Sequence, residues 1–414
     1  MTTTLFRNAS IFTPLGGSKP LAGKNQGRVV EYDGGALLSE NGIIAAIGPE
    51  AEVLRRSDSM DVDMEVDCEG CCMIPGFVDP HTHICFAKRR EREFSMRLEG
   101  KSYLDILKSG GGILSSVKAV HEVSEEELFD VTLDNVLSAL NFGTTTMEIK
   151  SGYGLTTESE LKMLNVIGRI AKETPLDIVP TFMGAHAVPE AYKNAPDDFV
   201  ELLVTEMLPA VVKQGIALYC DVFCEEGVFS VDQSRRILEA ARKLGLLLKI
   251  HADEVNDTGG AGLAAELQTV SAEHLLAAGD KNLRAMARSG VIADILPATA
   301  YSLKKPYAPV RKMIEMDVPV ALATDCNPGS CFTESVPFIF GLGVMNMDMT
   351  VNEVLVATTL NPAWSLGLQD KVGSLEKGKQ ADFLLLDGET PAMLAYHAGV
   401  SPVIEVYKKG IYVA

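Results

Sequence analysis

Short apolar runs of β character alternate with helix signals through the middle of the chain. Eight such runs occur, and several helices between them begin with a hydroxyl residue followed three positions later by a carboxylate or amide, the arrangement of a capping box. Eight strands alternating with helices predict an α/β fold with a (β/α)₈ TIM barrel at its centre. The predicted strands are Ile74–Val78, Thr144–Ile149, Ile178–Met183, Tyr219–Phe223, Leu246–Ile250, Thr269–Ala272, Val291–Leu296 and Val318–Ala323. The predicted capping boxes are Ser124…Glu127, Thr157…Glu160, Ser230…Gln233 and Thr350…Glu353.

The two ends of the chain have a different pattern, with short β-type runs and glycine-rich turns. Asn41-Gly42 between two apolar runs indicates a hairpin. A β pattern returns from Lys371 to the last residues. We therefore expect both ends to build one small composite β-sandwich domain, from residues 1–73 and 371–414, beside a barrel of residues 74–370.

Charge and composition exclude several classes of partner. The formal net charge of −19 disfavours nucleic acid and anionic membranes, whose surfaces would repel this chain. No uncharged apolar run has the length of a membrane span, and no signal peptide is evident at the start. Eight cysteines in a chain of 414 residues do not indicate a disulfide framework. We expect a cytoplasmic protein with reduced thiols and a small-molecule substrate.

Histidines cluster at the ends of the predicted strands. His81 and His83 follow the first strand, and His186, His251 and His274 follow three others, so five of the seven histidines lie there. Two histidines one residue apart on an extended backbone point to the same side, so both rings can reach one metal ion. The chemistry of such barrels lies at the carboxyl ends of the strands. A metal site is therefore favoured over the alternative of packed or surface histidines.

His81, His83, His251 and Asp325 together offer three imidazoles and one carboxylate. This set suits one divalent or trivalent metal ion per subunit, zinc or iron, with one position left for water. Such an ion activates water as a nucleophile near neutral pH. Glu225 and Cys224, at the end of the fourth strand, leave a bridged pair of ions open as an alternative, although a single ion is favoured.

Two groups of motifs carry a family resemblance over nearly the whole chain. The first group is Pro75–His83, Ala323–Asp325 and the tail Gly373–Asp382. The second group is Glu93-Phe94, Gly110–Ile113, Glu148–Leu155, Gly184–His186, Asp221–Glu225, His251–Glu254 and Asp325–Ser330. On the first group the chain resembles the amidohydrolase superfamily, and on the second it resembles the imidazolonepropionase family within it.

This resemblance implies hydrolysis of the cyclic amide bond of 4-imidazolone-5-propanoate to N-formimidoyl-L-glutamate, a step of histidine degradation. It also implies a homodimer. The metal ligands that it implies are His81, His83, His251 and Asp325. The residues that it places around substrate or product are Arg90, Tyr153, His186, Glu254, Asn327, Gly329 and Ser330.

The chemistry of these side chains agrees with an anionic heterocyclic substrate. Arg90 lies just after the first strand end, and its guanidinium matches a carboxylate with two hydrogen bonds. The alternative is a solvated charge run, which we prefer for Arg89 and Arg92. Tyr153 lies in a glycine-flanked loop that suits recognition, and His186 is expected to donate to the substrate. The alternatives are an exposed loop tyrosine and a buried core histidine.

Three residues are expected to handle protons. Asp325 is the predicted base, His274 the residue that orients the nucleophile or stabilises the oxyanion, and Glu254 the proton shuttle to the leaving nitrogen. The alternatives are a core histidine for His274 and a salt bridge for Glu254. Asn327-Pro328-Gly329 predicts a tight turn whose N–H groups are exposed to a product carboxylate.

Two other functions stay open at this point. One is a mononuclear-metal aminohydrolase that deaminates a purine, pyrimidine or pterin, since His-x-x-Glu with a histidine on the sixth strand suits that reaction equally well. The other is a non-catalytic barrel that acts as a scaffold, although such proteins commonly lose metal ligands and this chain retains them. The chain departs from the family pattern at Lys88, Ala298–Ser302 and Cys331-Phe332, which bears on the shape of the pocket.

Overall fold

The computed structural model of the protein describes residues 2–58, 61–101, 105 and 110–414. Its strands form two sheets, one built from both chain ends and one from the middle of the chain. The strands are β1 (Thr3–Pro14), β2 (Val29–Glu40), β3 (Ile43–Pro49), β4 (Met64–Asp67), β5 (Cys72–Pro75), β6 (Phe77–Asp79), β7 (Thr144–Lys150), β8 (Asp177–Ala185), β9 (Tyr219–Cys224), β10 (Leu247–Leu248), β11 (His251–Ala252), β12 (Ser271–His274), β13 (Ile292–Ile295), β14 (Val320–Leu322), β15 (Phe383–Leu386), β16 (Val403–Lys408) and β17 (Ile411–Tyr412).

Helices occur in both regions, and most of them separate the strands of the middle region. They are α1 (Glu50–Ser57), α2 (Glu91–Leu98), α3 (Ile113–Glu122), α4 (Glu125–Asn141), α5 (Thr157–Glu173), α6 (Pro196–Leu202), α7 (Leu208–Gln214), α8 (Val231–Lys243), α9 (Gly260–Leu267), α10 (Asp280–Ser289), α11 (Pro297–Leu303), α12 (Val310–Glu315), α13 (Val336–Asn346), α14 (Val351–Thr358), α15 (Leu360–Ser365) and α16 (Met393–Tyr396). A π-helical turn, Leu203–Met207, joins α6 to α7. None of the helices in the described part of the chain is both long and apolar enough to cross a membrane.

The sheet of the chain ends has the order β17-β16-β15-β5-β1-β2-β3, with β4 beside β1. Its core joins residues that are far apart in sequence: Phe6 meets Phe383 edge to face at 4.8 Å between ring centroids, and Phe383 stacks on Tyr407 at 4.6 Å. Such aromatic contacts add about 0.5–1.5 kcal/mol each beyond the apolar area that they bury. The predicted composite β domain is therefore confirmed.

The middle region forms a nearly closed parallel barrel in the order β14-β13-β12-β11-β9-β8-β7-β6, with β10 beside β9. The two ends of this sheet meet through the Asp79 carboxylate, which accepts hydrogen bonds from the backbone N–H of Thr324 at 3.1 Å and from its hydroxyl at 2.5 Å. Just beyond, Asp325 N–H donates to the carbonyl of His81 at 3.1 Å. The predicted (β/α)₈ barrel is confirmed, and its closure joins the first and eighth strand ends.

Local differences from the sequence-based expectation have physical causes. The run Ile74–Val78 is divided between two sheets, because β5 pairs with β1 and β15 whereas β6 begins the barrel. Gly76 lies between them, and a Cβ there would meet the Thr145 hydroxyl at 2.3 Å. The run Leu246–Ile250 gives only the two-residue strand β10, and the barrel strand proper resumes at β11.

Three of the four predicted capping boxes form, at Ser124, Ser230 and Thr350. The fourth prediction was wrong. Thr156, rather than Thr157, caps α5 and accepts from the N–H of Ser159. The Glu160 carboxylate turns away from this helix start and binds the preceding loop instead.

Candidate metal centre and substrate rim

Three histidine nitrogens converge where β6 and β11 end. The Nε2 atom of His83 lies 3.2 Å from Nε2 of His81 and 3.2 Å from Nε2 of His251. Ligand atoms held about 2.0–2.1 Å from one tetrahedral ion are roughly 3.3 Å apart, so this spacing suits a shared metal ion. Asp325 Oδ1 lies 3.5 Å from His81 Nε2 and 3.8 Å from His83 Nε2. The donor set is buried and fits a transition metal.

Carboxylates lie behind two of these rings. Glu273 Oε2 is 3.0 Å from Nδ1 of His81 and 3.0 Å from Nδ1 of His251, and Asp221 Oδ2 is also 3.0 Å from Nδ1 of His251. A carboxylate behind a ligating histidine fixes the ring orientation and makes the ring a better ligand. Burial lowers the pKa of His251, but Asp221 and Glu273 outweigh it and raise that pKa to about 10. These carboxylates therefore attract positive charge to this point.

A layer of buried charges continues below the histidines. Lys150 Nζ lies 2.7 Å from Asp221 and 2.8 Å from Glu148, so the structural pairing predicted for Lys150 is confirmed. Lys249 Nζ donates to the Pro80 carbonyl at 2.8 Å and lies 3.3 Å from Glu273. Buried charges are tolerated only when they are paired in this way. The two ammonium groups hold the carboxylates that in turn support the histidines.

Two residues of the centre have left-handed backbone conformations. Asp325 has φ 53° and His274 has φ 71°, a region that non-glycine residues occupy at a cost of about 1–3 kcal/mol. The Thr299 hydroxyl donates to Asp325 Oδ2 at 2.5 Å and so fixes the carboxylate. Asp325 Oδ1 is left facing the histidines.

His274 is buried beside the other histidines, with its ring centroid 5.2 Å from that of His251. Among the described residues its Nδ1 has no hydrogen-bond partner, and its Nε2 is 3.8 Å from Glu254 Oε2. A core histidine satisfied by the backbone would have such partners. Burial lowers the pKa of His274 to about 3, so the ring is neutral.

Glu254 lies at the mouth of the barrel with its side chain 20 % exposed. Burial, followed by the nearby negative charge of Asp325, raises its pKa to about 7. A carboxyl group with a pKa near neutrality can both give and accept a proton. Asp253 holds the loop that carries it, because Asp253 Oδ1 accepts from the N–H groups of Thr258, Gly259 and Gly260 at 3.0–3.1 Å.

Arg90 lies at the rim, but part of its guanidinium already has a partner. Its Nε and Nη2 donate to Glu93 at 2.8 and 2.6 Å, and Glu93 also accepts from the N–H of Gly112 at 3.1 Å. The Nη1 corner points at Gly329, where an added Cβ would come within 2.4 Å of it. Arg89 instead lies over the ring of Phe332, 4.7 Å from its centroid. The two neighbouring arginines therefore have different surroundings.

Tyr153 and His186 lie above the histidine cluster. Tyr153 is buried, and its ring centroid is 5.3 Å from that of His186, which stacks on His83 at 4.7 Å. His186 Nδ1 is 3.1 Å from the carbonyl of Gly152, so Nδ1 carries the proton. Burial lowers the pKa of His186 to about 3, so the neutral ring presents Nε2 as an acceptor and not as the donor expected from the sequence.

The loop after β14 differs from the expectation of exposed N–H groups. The N–H groups of Gly329 and Ser330 donate to Asn327 Oδ1 at 2.9 and 2.8 Å. Asn327 Nδ2 in turn donates to the carbonyl of Asp325 at 2.7 Å. Asn327 thus organises a turn that ties the rim to Asp325, and its amide satisfies the backbone donors of that turn.

Comparison with known proteins places this geometry in a family. The profile of the amidohydrolase family matches residues 72–413. An imidazolonepropionase of Syntrophobacter fumaroxidans is 61% identical over 409 residues, which cover 99% of this chain and 96% of the relative. An imidazolonepropionase of Desulfotalea psychrophila is 61% identical over 410 residues, which cover 99% of each chain. The chain belongs to the imidazolonepropionase family.

Solved structures of amidohydrolases have the same fold. The crystal structure of an adenosine deaminase from Xanthomonas campestris with bound zinc superimposes with a TM-score of 0.70, covering 99% of this chain and 92% of that one, at 18% sequence identity. At such low identity the similarity shows the fold alone. These comparisons therefore support the deaminase alternative only through a shared barrel fold. The imidazolonepropionase assignment is supported by relatives of high sequence identity over nearly the full length. As a member of this family of enzymes, the chain is a hydrolase rather than a silent scaffold.

In this member of the imidazolonepropionase family, the residues at the end of β9, the fourth strand of the barrel, do not join the histidine cluster. Glu225 accepts from the N–H of Val255 at 2.9 Å and from the N–H of Glu226 at 3.1 Å. Burial raises the pKa of the Cys224 thiol to about 11, which disfavours the thiolate needed for metal binding. Among the described residues, the groups able to share an ion contain neither of the two.

Sequence reasoning missed the carboxylates and the lysine that support the centre. Asp221 was part of a family motif but had no assigned role, and Glu273 and Lys249 were not singled out. Two signals were present: Glu273 directly precedes His274, and Lys249 interrupts an apolar run. A charged residue at an inward-facing position of a buried strand indicates a buried pair.

Proposed function

We propose that this protein hydrolyses 4-imidazolone-5-propanoate to N-formimidoyl-L-glutamate. The observation that carries the proposal is the convergence of three histidine Nε2 atoms and Asp325 in a chain 61% identical to imidazolonepropionases. Water adds to the ring carbonyl carbon, the ring C–N bond breaks, and a proton goes to the leaving nitrogen. The carbonyl carbon becomes the new carboxylate.

We propose that His81, His83, His251 and Asp325 hold one metal ion, zinc or iron. Support comes from the 3.2 Å spacing of the nitrogens and from Glu273, 3.0 Å behind two of the rings. When bound, such an ion supplies an activated water and polarises the substrate carbonyl. Three imidazoles with a carboxylate accept either metal, so elemental analysis is needed to tell zinc from iron.

The proton steps are assigned to three residues of this chain. Asp325 takes the proton from water, because Oδ1 faces the cluster while Thr299 holds Oδ2 at 2.5 Å. His274 is neutral and donates a hydrogen bond to the developing oxyanion, a role that suits its unpartnered buried nitrogen. Glu254, whose pKa burial raises to about 7, delivers a proton to the leaving nitrogen.

The substrate is held from the rim. Arg90 offers its Nη1 corner to the propanoate, while Glu93 fixes the other side of the guanidinium. Tyr153 covers the ring, and His186 accepts a hydrogen bond from a ring N–H through Nε2. Asn327, Gly329 and Ser330 shape the wall beside Arg90.

The test is a spectrophotometric assay of imidazolonepropanoate loss with product identification and metal analysis of the same sample. The proposal expects ring opening, one new carboxylate in the product and about one ion per subunit. Release of ammonia without a new carboxylate would assign the chain to the deaminases instead. No turnover by a metal-replete sample would exclude the proposed substrate.

Two further predictions extend this proposal. A homodimer is expected from the family resemblance, and sedimentation analysis of the full chain tests it. A cytoplasmic location agrees with the eight cysteines, all of which are free thiols in the structure. Fractionation of the source cells, with detection of the chain by antibody, tests that prediction.

A further inference from the structure

The loop of residues 151–155 holds Tyr153 over the metal-binding histidines, 6.1 Å from His83 between ring centroids. It connects β7 to α5 without regular secondary structure. Gly152 has φ 108° and Leu155 has φ 52°, both in the left-handed region. Because this loop is buried, each of its backbone N–H and carbonyl groups needs a partner.

Glu160 supplies the acceptors for this loop. Its Oε1 accepts from the N–H groups of Gly154 and Leu155 at 2.8 Å each, and its Oε2 accepts from the N–H of Gly152 at 3.1 Å. The residue is fully buried. Three charge-assisted bonds to one carboxylate fix the backbone on both sides of Tyr153.

Glu160 has no separate task at the start of its helix. Thr156 caps α5 by accepting a hydrogen bond from the N–H of Ser159. The cap predicted from Thr157 and Glu160 is therefore not formed, and the Glu160 carboxylate is not needed there. The loop is also pressed against the helix start, since a Cβ on Gly154 would lie 2.5 Å from the backbone nitrogen of Glu160. The carboxylate therefore serves the loop.

A histidine binds the same loop from the other side. His121, on α3, has its Nε2 2.6 Å from the carbonyl of Gly154. His121 is one of the two histidines that do not lie at the end of a predicted strand. With Glu160 on the N–H groups and His121 on a carbonyl, the loop is held through both kinds of backbone group.

We propose that Glu160 and His121 are positioning residues that set Tyr153 against the substrate. This inference rests on the proposed function of the site, in which Tyr153 covers the ring of the substrate. In the substitution Glu160→Gln, the amide NH₂ would replace one carboxylate oxygen and would face a backbone N–H. Both groups are donors, so only a carboxylate can accept all three hydrogen bonds. The effect of losing this carboxylate should appear in substrate binding and not in metal binding.

The experiment compares Glu160→Gln with Glu158→Gln in the metal-loaded full-length enzyme. Glu158 lies on the first turn of the same helix but is exposed, and is therefore a matched control. For Glu160→Gln, KM should rise roughly 10-fold, the loss expected for one buried charge-assisted hydrogen bond. Its kcat and metal content should stay near wild type, and Glu158→Gln should change none of the three.

Two more measurements separate positioning from a general effect on the fold. In a Tyr153→Ala background, Glu160→Gln should raise KM no further, because both changes act through the same side chain. Hydrogen exchange of the peptide that contains residues 151–156 should be faster in Glu160→Gln than in wild type or Glu158→Gln. Exchange needs no substrate, so it tests the hold on the loop even if the wild-type enzyme fails to turn over imidazolonepropanoate.

Each contrary outcome overturns the inference. An unchanged exchange rate in Glu160→Gln would show that the carboxylate does not hold the loop. Faster exchange with an unchanged KM would show that loop order has no part in binding, and an equal rise of KM in the Tyr153→Ala background would place the effect elsewhere. If Glu160→Gln does not fold, His121→Ala removes the bond on the other side of the loop and is judged by the same criteria.

Discussion

The candidate metal centre and the proposed substrate rim are held in place by different kinds of contact. At the centre, carboxylates face side chains: Glu273 lies 3.0 Å from the rings of both His81 and His251. At the rim, side-chain oxygens face the backbone: Asn327 accepts from Gly329, and Glu160 accepts from the loop of Tyr153. The contacts at the centre set the charge of the histidine rings, whereas the contacts at the rim set the conformation of its loops.

This difference separates the expected effects of mutation. Removing a group behind the histidines should change metal affinity first, because the carboxylates act on the ligand rings. Removing a side chain that holds a rim loop should change KM first, because the loop positions the residues that contact the substrate. Variants that mix the two effects would break the comparison.

The largest effect is expected from His251→Ala. It removes one of three imidazoles, so bound metal should be lost and kcat/KM should fall about 10⁴-fold, since the ion supplies several kcal/mol of stabilisation to the transition state. Elemental analysis and circular dichroism of the same sample check that metal is lost while the barrel stays folded. The control is His397→Ala, an exposed histidine next to α16. Metal content near one equivalent in His251→Ala would show that the ligand set is wrong.

A smaller effect, with metal retained, is expected from His274→Ala and Glu254→Gln. Each should lower kcat by ~10²–10⁴-fold, because one donates to the oxyanion and the other moves a proton. Steady-state kinetics with metal-replete protein measure this directly. If both variants keep the wild-type kcat, these two side chains have structural roles only.

Glu273→Gln tests the support behind the centre. Loss of the carboxylate shared by His81 and His251 should weaken metal binding by about 10–100-fold, the usual effect of removing a partner of a ligating histidine. Competition with a chelator of known affinity measures it. Asp294→Asn is the control within the same buried layer, since Asp294 pairs with Lys249 and Ser365. Equal losses in both variants would mean that the layer acts as a whole and that Glu273 has no special part.

The smallest effect belongs to the rim. Arg90→Lys should raise KM by roughly 5–10-fold with unchanged metal content, because a point charge cannot hold Glu93 and a propanoate together as a planar guanidinium does. Arg89→Ala should leave KM unchanged, since Arg89 covers the exposed ring of Phe332. The reverse pattern would place the propanoate beside Arg89. No effect in either variant would mean that another residue holds the carboxylate or that the substrate is a neutral heterocycle.

The barrel and the convergence of its histidines could be predicted because their signals are local in sequence. Alternation of strands and helices gives the fold, and His81 and His83 share one side of an extended backbone. The supporting groups could not be predicted in the same way. Glu273 and Asp221 reach His251 only because the barrel brings β9, β11 and β12 side by side, and a charged residue in a strand does not indicate its partner.

At the rim, the contacts between side chains and the backbone could not be predicted from the sequence either. A turn could be predicted at Asn327, but its amide occupies the N–H groups that the turn was expected to expose. Glu160 was read as a helix cap because its spacing from Thr157 fits one. The spacing is identical whether the carboxylate turns to the helix or to the loop, and only the packed structure distinguishes the two.

The division of Ile74–Val78 between two sheets also has a consequence for biosynthesis. β5 pairs with β15, and β15 leaves the ribosome about 300 residues later, which at ~5–20 residues per second is roughly 15–60 s. Throughout that interval the open edge of β5 exposes unpaired backbone groups, a feature that favours association with other chains. The segment that leads directly into the histidine pair is therefore among the last parts of its sheet to be completed, when residues 383–386 arrive.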